Sequence, residues 1–264
     1  RPPRSTQGVS SAASDVYKRQ ILDSYTTVGE LQQFGEDPLV KAIVLRIDSP
    51  GGGVAPSQEI YNAVKRVRKK NQKTIVTSMG TVAASGGYYI AVASDRILAN
   101  PGTLTGSIGV IMQLANFEDI MEKIGVRNTV IKSGRYKDVG SPFRTMTDDE
   151  RHYLQSVMDD AHRQFIEAVA DGRSLDIADV EVLADGRIFT GQQAKDALLV
   201  DELGDLQQAI TLAADMSGMK EHPPVVESQK PFSLREFLGN RFLGGGTPAL
   251  PIQSGLNLMY FVAL

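Results

Sequence analysis

The chain has 264 residues, with 28 Lys and Arg against 31 Asp and Glu for a net charge of −3, so nothing electrostatic recommends nucleic acid as its main partner. The absence of cysteine excludes a disulfide framework, a thiolate zinc site and a cysteine nucleophile together. Three histidines, His152, His162 and His222, leave few candidates for a histidine relay or a His-rich metal site, and no apolar run reaches the roughly 18 residues that a spanning helix needs.

The first stretch, "RPPRSTQGVSSAASDVYKRQ", has no initiator Met, no apolar signal-peptide core and no periodicity. It resembles translated adapter read-through at the end of a gene fragment, so residues 1–20 are set aside as non-native and the true N-terminus is expected to be missing. "KAIVLRID" (41–48) reads as a buried strand that ends in the turn Ser-Pro-Gly-Gly-Gly. From Pro56 to Lys70, Ile60, Val64 and Val67 recur at helical spacing, with proline near the start. "KTIVTSM" (73–79) predicts a second strand, "GGYYIAVASD" a short helix and "DRILAN" (95–100) a third strand. "FEDIMEKIG" (117–125) predicts a helix closed by Gly125, and "VRNTVIKSG" (126–134) another strand. This alternation argues for an α/β fold with mostly parallel pairing.

After Thr147 the pattern changes. "TDDE" is a capping box, with Thr147 as N-cap and Glu150 three residues on. Leu154, Val157, Met158, Ala161, Phe165 and Val169 then share one face, which predicts a single helix of about 25 residues. "TGQQAKDALLVDELG" (190–204) reads as a helix and a short strand, and Leu206 to Met216 as a further helix. Beyond Glu221 the pattern weakens into an arm over 221–264, with a "GGGTPALP" loop and an exposed apolar tail, "LNLMYFVAL", expected to pack on a neighbouring subunit.

Two turns carry the candidate chemistry. Ser85, in "AASGG", stands where a strand passes into a helix, with backbone N–H groups close by. The same serine could simply cap the helix, and its surroundings are not the G-x-S-x-G of an α/β-hydrolase. "DSPGGG" (48–53) lets the backbone approach a ligand and aim amides at it, as an oxyanion hole requires, although a plain turn would look alike. A serine nucleophile needs a base, and no histidine falls in this region. His152 and His162 read as solvated helix residues. The loop "KSGRYKDVGSPFR" offers Lys132 and Lys137. A lysine serves as base only once desolvation or nearby dipoles lower its pKa, and a single loop lysine could equally be solvated. The basic run Lys65, Arg66, Arg68, Lys69, Lys70 and Lys73 reads as a solvated helix end complementing the helix dipole, with anionic lipid headgroups as the alternative contact.

Taken together, "VLRIDSPGGG", "AASGGYYIA", "TLTGSIGV", "KSGRYKDVGSPFR" and "GRIFTGQQAKDALLVDELG" resemble, in content and order, the signal peptide peptidase A family of serine proteases (peptidase family S49) over roughly residues 38 to 220. The resemblance implies an α/β, Clp/crotonase-like spiral of repeated β-β-α units with an additional long helix, occupying residues 21–220. It implies Ser85 as nucleophile, Lys137 as general base, Ser107 as the residue that orients the lysine, and the amides of Gly52 and Gly86 as the oxyanion hole. No metal or cofactor is implied. The implied substrates are signal peptides or other hydrophobic peptides, and the implied assembly is a homo-oligomer whose active sites combine residues of two protomers. The implied location is the cell membrane, through a single N-terminal anchor that should precede residue 21, with an extracytoplasmic catalytic domain. Two alternatives remain: a crotonase-like acyl-CoA enzyme, which would need neither Ser85 nor Lys137, and a non-catalytic membrane-associated scaffold.

Overall fold

The computed structural model describes residues 19–219, 224–227 and 256–262, the last of these as backbone. Helix α1 (Tyr25–Glu36) precedes strand β1 (Val40–Ser49), helix α2 (Val54–Asn71) and strand β2 (Thr74–Ala84). The short helix α3 (Gly86–Ala91), strands β3 (Arg96–Ala99) and β4 (Leu104–Gly106) and helix α4 (Glu118–Lys123) follow. The long helix α5 (Asp148–Arg173) leads to α6 (Ile177–Leu183), β5 (Ile188–Thr190), α7 (Gly191–Asp196), β6 (Glu202–Leu203) and α8 (Leu206–Met216). Strands β7 (Val225–Glu227) and β8 (Leu256–Val262) complete the described elements.

Strand β1 is buried almost throughout because both of its faces are covered. Alternate residues diverge: Ile43, Leu45 and Ile47 join the large core beneath α1, α2, α3 and α5, while Ala42 and Val44 meet Ala209, Ile210 and Ala213 of α8 on the other face. Strand β2 is parallel to β1 and long enough to serve two neighbours on its far side. Val76–Ser78 pair with β3, and Val82–Ala84 pair with β4. The sheet therefore curls where β2 changes partner, and β5 and β6 extend it beyond β4 and β3. A curled α/β sheet with a long added helix is the Clp/crotonase-like architecture expected above. Among the described residues no helix is long and apolar enough to cross a membrane.

Three expectations are corrected. Residues 126–134 form no strand: Val126, Val130 and Ile131 are exposed, and the segment has no neighbouring strand to take up its backbone groups. The "LNLMYFVAL" tail, expected on a neighbouring subunit, joins the sheet of its own chain: Leu256–Val262 pair antiparallel with β1 from Ile47 back to Val40 and also hold β7. An open edge on so apolar a strand would expose a row of unpaired N–H and C=O groups, which this pairing removes. The apolar face of α5 is continuous in sequence but not in burial. Phe165, Ile166 and Val169 are buried, whereas Val157 is 42% exposed, because the helix overhangs the sheet at its N-terminal end. Of the leader set aside above, residues 1–18 lie outside the described residues, as does the "GGGTPALP" loop. Arg19 does not stand apart from the fold: its guanidinium reaches the Asp48 carboxylate at 2.6 Å.

Candidate active site

The glycine turn after β1 is built by its own neighbours. Ser49 Oγ accepts the Gly51 N–H at 3.1 Å, and Gly51 takes φ = +105°, a conformation suited to glycine. Ile21 lies alongside as a parallel bridge: its N–H donates to Gly51 O (2.9 Å) and its carbonyl accepts from Gly53 N–H (2.8 Å). In such a bridge the central residue's own N–H faces the opposite side. The Gly52 amide is therefore turned away from Ile21, toward the end of β2.

At that end stands Ser85, with φ = 52° and ψ = −121°. A non-glycine residue at positive φ costs on the order of 1–3 kcal/mol and persists only where its surroundings enforce it. Here they do. The Ser85 N–H donates to Gly106 O (2.8 Å), Ser85 O accepts from Tyr89 N–H (2.8 Å), and Thr105 Oγ1 donates to Ala83 O (2.7 Å). Helix α3 is buried along its length, and the Tyr88 hydroxyl donates to Leu199 O at 2.8 Å. Burial pushes the Tyr88 phenol well above its ordinary range, so it stays a neutral donor. The strained strand-to-helix serine is the backbone solution of a nucleophile elbow, reached without its G-x-S-x-G sequence.

The two turns meet. A Cβ at Gly51 would fall 2.8 Å from the Gly86 nitrogen and 2.8 Å from Ser85 Cβ, and a Cβ at Gly86 would fall 3.4 Å from the Gly52 nitrogen. Ser57 Oγ, which donates to Gly53 O at 2.8 Å, would also collide with a side chain at Gly86. The N–H groups of Gly52 and Gly86 have no hydrogen-bond acceptor among the described residues. Two unsatisfied donors beside a half-exposed serine can stabilise a developing oxyanion.

Ser107 belongs to the same corner. It follows Gly106, whose carbonyl holds Ser85, and it adopts φ = 51° while its N–H donates to Arg187 O at 2.8 Å. Arg187 is in turn gripped by Asp185, whose carboxyl the guanidinium lowers to about 2. Ser85, Ser107, Gly52 and Gly86 are thus brought together.

Lys137 is exposed on the turn after Gly134, and among the described residues no hydrogen bond or ion pair joins its Nζ to Ser85 or Ser107. The other loop lysine is engaged: Lys132 Nζ donates to Asp138 Oδ1 at 2.5 Å and to Arg135 O at 3.0 Å. His152 is exposed on α5 as expected, whereas His162, further along that helix, is not simply solvated: its Nε2 is buried with no hydrogen-bond partner among the described residues. Sequence reasoning missed Ile21, Ser57 and the charged residues around Lys137. Ser57 sits one turn into α2 from the glycine run, a spacing that could have marked it.

Residues 67–220 match the family described as Peptidase family S49, and residues 26–105 match the Clp protease family. A putative protease of Synechocystis sp. is 41% identical over 253 residues, 95% of this chain and 86% of that protein. A putative signal peptide peptidase SppA of Enterococcus faecium is 39% identical over 197 residues, 75% of this chain and 57% of that one. The chloroplastic serine protease SPPA of Arabidopsis thaliana is 32% identical over 226 residues, covering 84% of this chain and 32% of its own length.

Proposed function

We propose that this chain, which belongs to peptidase family S49 and is a serine peptidase, uses Ser85 as nucleophile and Lys137 as general base to cleave apolar peptides. The observation that carries this reading is the strained Ser85 turn with the amides of Gly52 and Gly86 beside it. The neutral Lys137 amine takes the Ser85 proton as Oγ attacks the scissile carbonyl. The carbonyl oxygen, now carrying the charge, accepts from the Gly52 and Gly86 N–H groups. The lysine then protonates the leaving amine, and water hydrolyses the acyl-enzyme by the same route in reverse. Ser107 orients the lysine.

The dyad is completed between protomers of a homo-oligomer, a reading supported by the exposure of Lys137 and by the lack of a hydrogen bond from its Nζ to Ser85 among the described residues of one chain. A groove of about 490 Å3 between residues 110–116 and the start of α5 offers apolar substrates the side chains of Ile111, Met112, Leu114 and Leu154, with Arg144 and Arg151 also in its wall. Signal peptides are the substrate class that the similarity to the putative signal peptide peptidase of Enterococcus faecium supports, and a membrane location with an extracytoplasmic catalytic domain is part of the same proposal. A fluorophosphonate probe tests the core of the reading. The folded wild-type chain should be labelled and Ser85→Ala should not; an unlabelled wild-type chain overturns it.

A further inference from the structure

The loop that carries Lys137 is rigidly held, and it is held from both sides of the lysine. On one side the Tyr136 ring packs on Tyr153 of α5, with centroids 5.0 Å apart, and Arg135 pairs with Asp149 in the first turn of that helix. On the other side Asp138 receives a two-pronged grip from Arg144, through Nε to Oδ2 and Nη2 to Oδ1, both 2.9 Å. Arg144 also donates to Glu150, through Nη1 to Oε2 at 2.8 Å and Nη2 to Oε1, and Nη1 reaches the Thr145 carbonyl at 3.2 Å. Glu150 Oε2 also closes the capping box on Thr147 N–H at 3.0 Å. One guanidinium therefore ties the residue next to Lys137 to the N-terminus of the 26-residue helix.

The burial of this network is uneven. The side chains of Asp138 and Glu150 are 12% and 5% exposed, and that of Arg144 is 28% exposed. Nearly buried carboxylates sharing one guanidinium form a site in which loss of one partner strands the others. A fork of this kind fixes direction as well as distance, which lysine's single ammonium does not. Lys137 itself lies outside the network, between two anchored neighbours.

We propose that Arg144 and Asp138 are positioning residues for Lys137: they hold its backbone at the geometry from which the amine reaches a serine. This rests on the reading of Lys137 as the base. Misplacement of a catalytic group by about 1 Å can cost about 100-fold in rate. Replacing either residue should therefore lower kcat; Arg144 also lines the groove between residues 110–116 and α5, so the separation of kcat from KM is read at Asp138, which does not line it.

The test compares Arg144→Gln, Arg144→Lys, Asp138→Asn and Lys137→Ala in the full chain. The substrate is an internally quenched peptide with a leucine-rich core, and folding is monitored by thermal melting. The expected result for Asp138→Asn, which lies outside the groove, is a kcat down about 100-fold with KM within about twofold of wild type, and both Asp138→Asn and Arg144→Gln should slow fluorophosphonate labelling of Ser85. Arg144→Lys should recover part of kcat, since it restores the charge without the fork. Arg163→Ala, which breaks an exposed ion pair further along the same helix, should change neither constant. If Lys137→Ala is inactive while folded Arg144→Gln keeps the wild-type kcat, the positioning role is overturned and the base assignment stands. If Lys137→Ala keeps full activity, the base assignment fails and takes this proposal with it. Should Arg144→Gln fail to fold, Arg144→Lys and Asp138→Asn decide the matter, and wild-type kcat in either overturns the proposal.

Discussion

At the scale of single residues, Ser85 and Gly51 are coupled through space. Gly51 has a positive φ, and any Cβ there would press on Ser85 Cβ and on the Gly86 amide. Gly51→Ala should therefore destabilise the chain by roughly 1–3 kcal/mol, measured by denaturant unfolding, and also slow probe labelling of Ser85. An unchanged labelling rate in a folded Gly51→Ala chain would show that the glycine turn does not shape the serine. Lys137→Arg should lose activity by about 100- to 10,000-fold, because a guanidinium stays protonated and cannot serve as base. Ser107→Ala should cost less than either dyad substitution, since it removes an orienting contact and not a reactant. Activity abolished by His152→Ala but kept in Lys137→Ala would contradict the lysine assignment.

At the scale of elements, the start of α5 depends on charge pairing. The Arg144 guanidinium and the Thr147 N–H hold the Glu150 carboxyl down at about 2, against 4.5 for an ordinary glutamate. Arg144 and then Lys132 hold Asp138 lower than its usual range. Both folded pKa values lie below their unfolded ones, so the stabilisation is complete above about pH 4.5 and is lost as pH falls toward 2. Thermal melting of Glu150→Gln should lie below wild type at pH 7, and the two curves should converge near pH 2. Parallel curves across that range would mean that Glu150 does not contribute through its charge.

At the scale of the whole molecule, β8 closes the edge of β1, and the proposed dyad is one that two protomers complete. A chain ended after residue 255 leaves β1 with one neighbour and an open edge along seven paired positions. It should melt lower and associate through that edge, as sedimentation would report. Complementation addresses the dyad. Mixed Ser85→Ala and Lys137→Ala proteins should regain part of the activity, because some interfaces then pair an intact serine with an intact lysine. A mixture that co-assembles and stays inactive places the dyad within one chain.

What was legible in the sequence was what short-range physics dictates. The apolar run of β1, the helical spacing of Ile60, Val64 and Val67, and the Thr147–Glu150 capping box each depend on neighbours within a turn or a strand. All three appear in the structure. The serine of "AASGG" and the glycines of "DSPGGG" were recognisable by type. Their convergence was not, because the distance from Gly52 to Gly86 is set by the β1–β2 register and by β4 holding the Ser85 N–H. Residues 126–134 carry the pattern of a strand yet form none, since a strand exists only where a partner edge is free. The apolar tail carries no mark of its place, yet it finds such an edge at β1. Local pattern decided which segments could form elements, and tertiary structure alone decided which of them found partners, because backbone hydrogen bonds and buried surface are satisfied between segments distant in sequence.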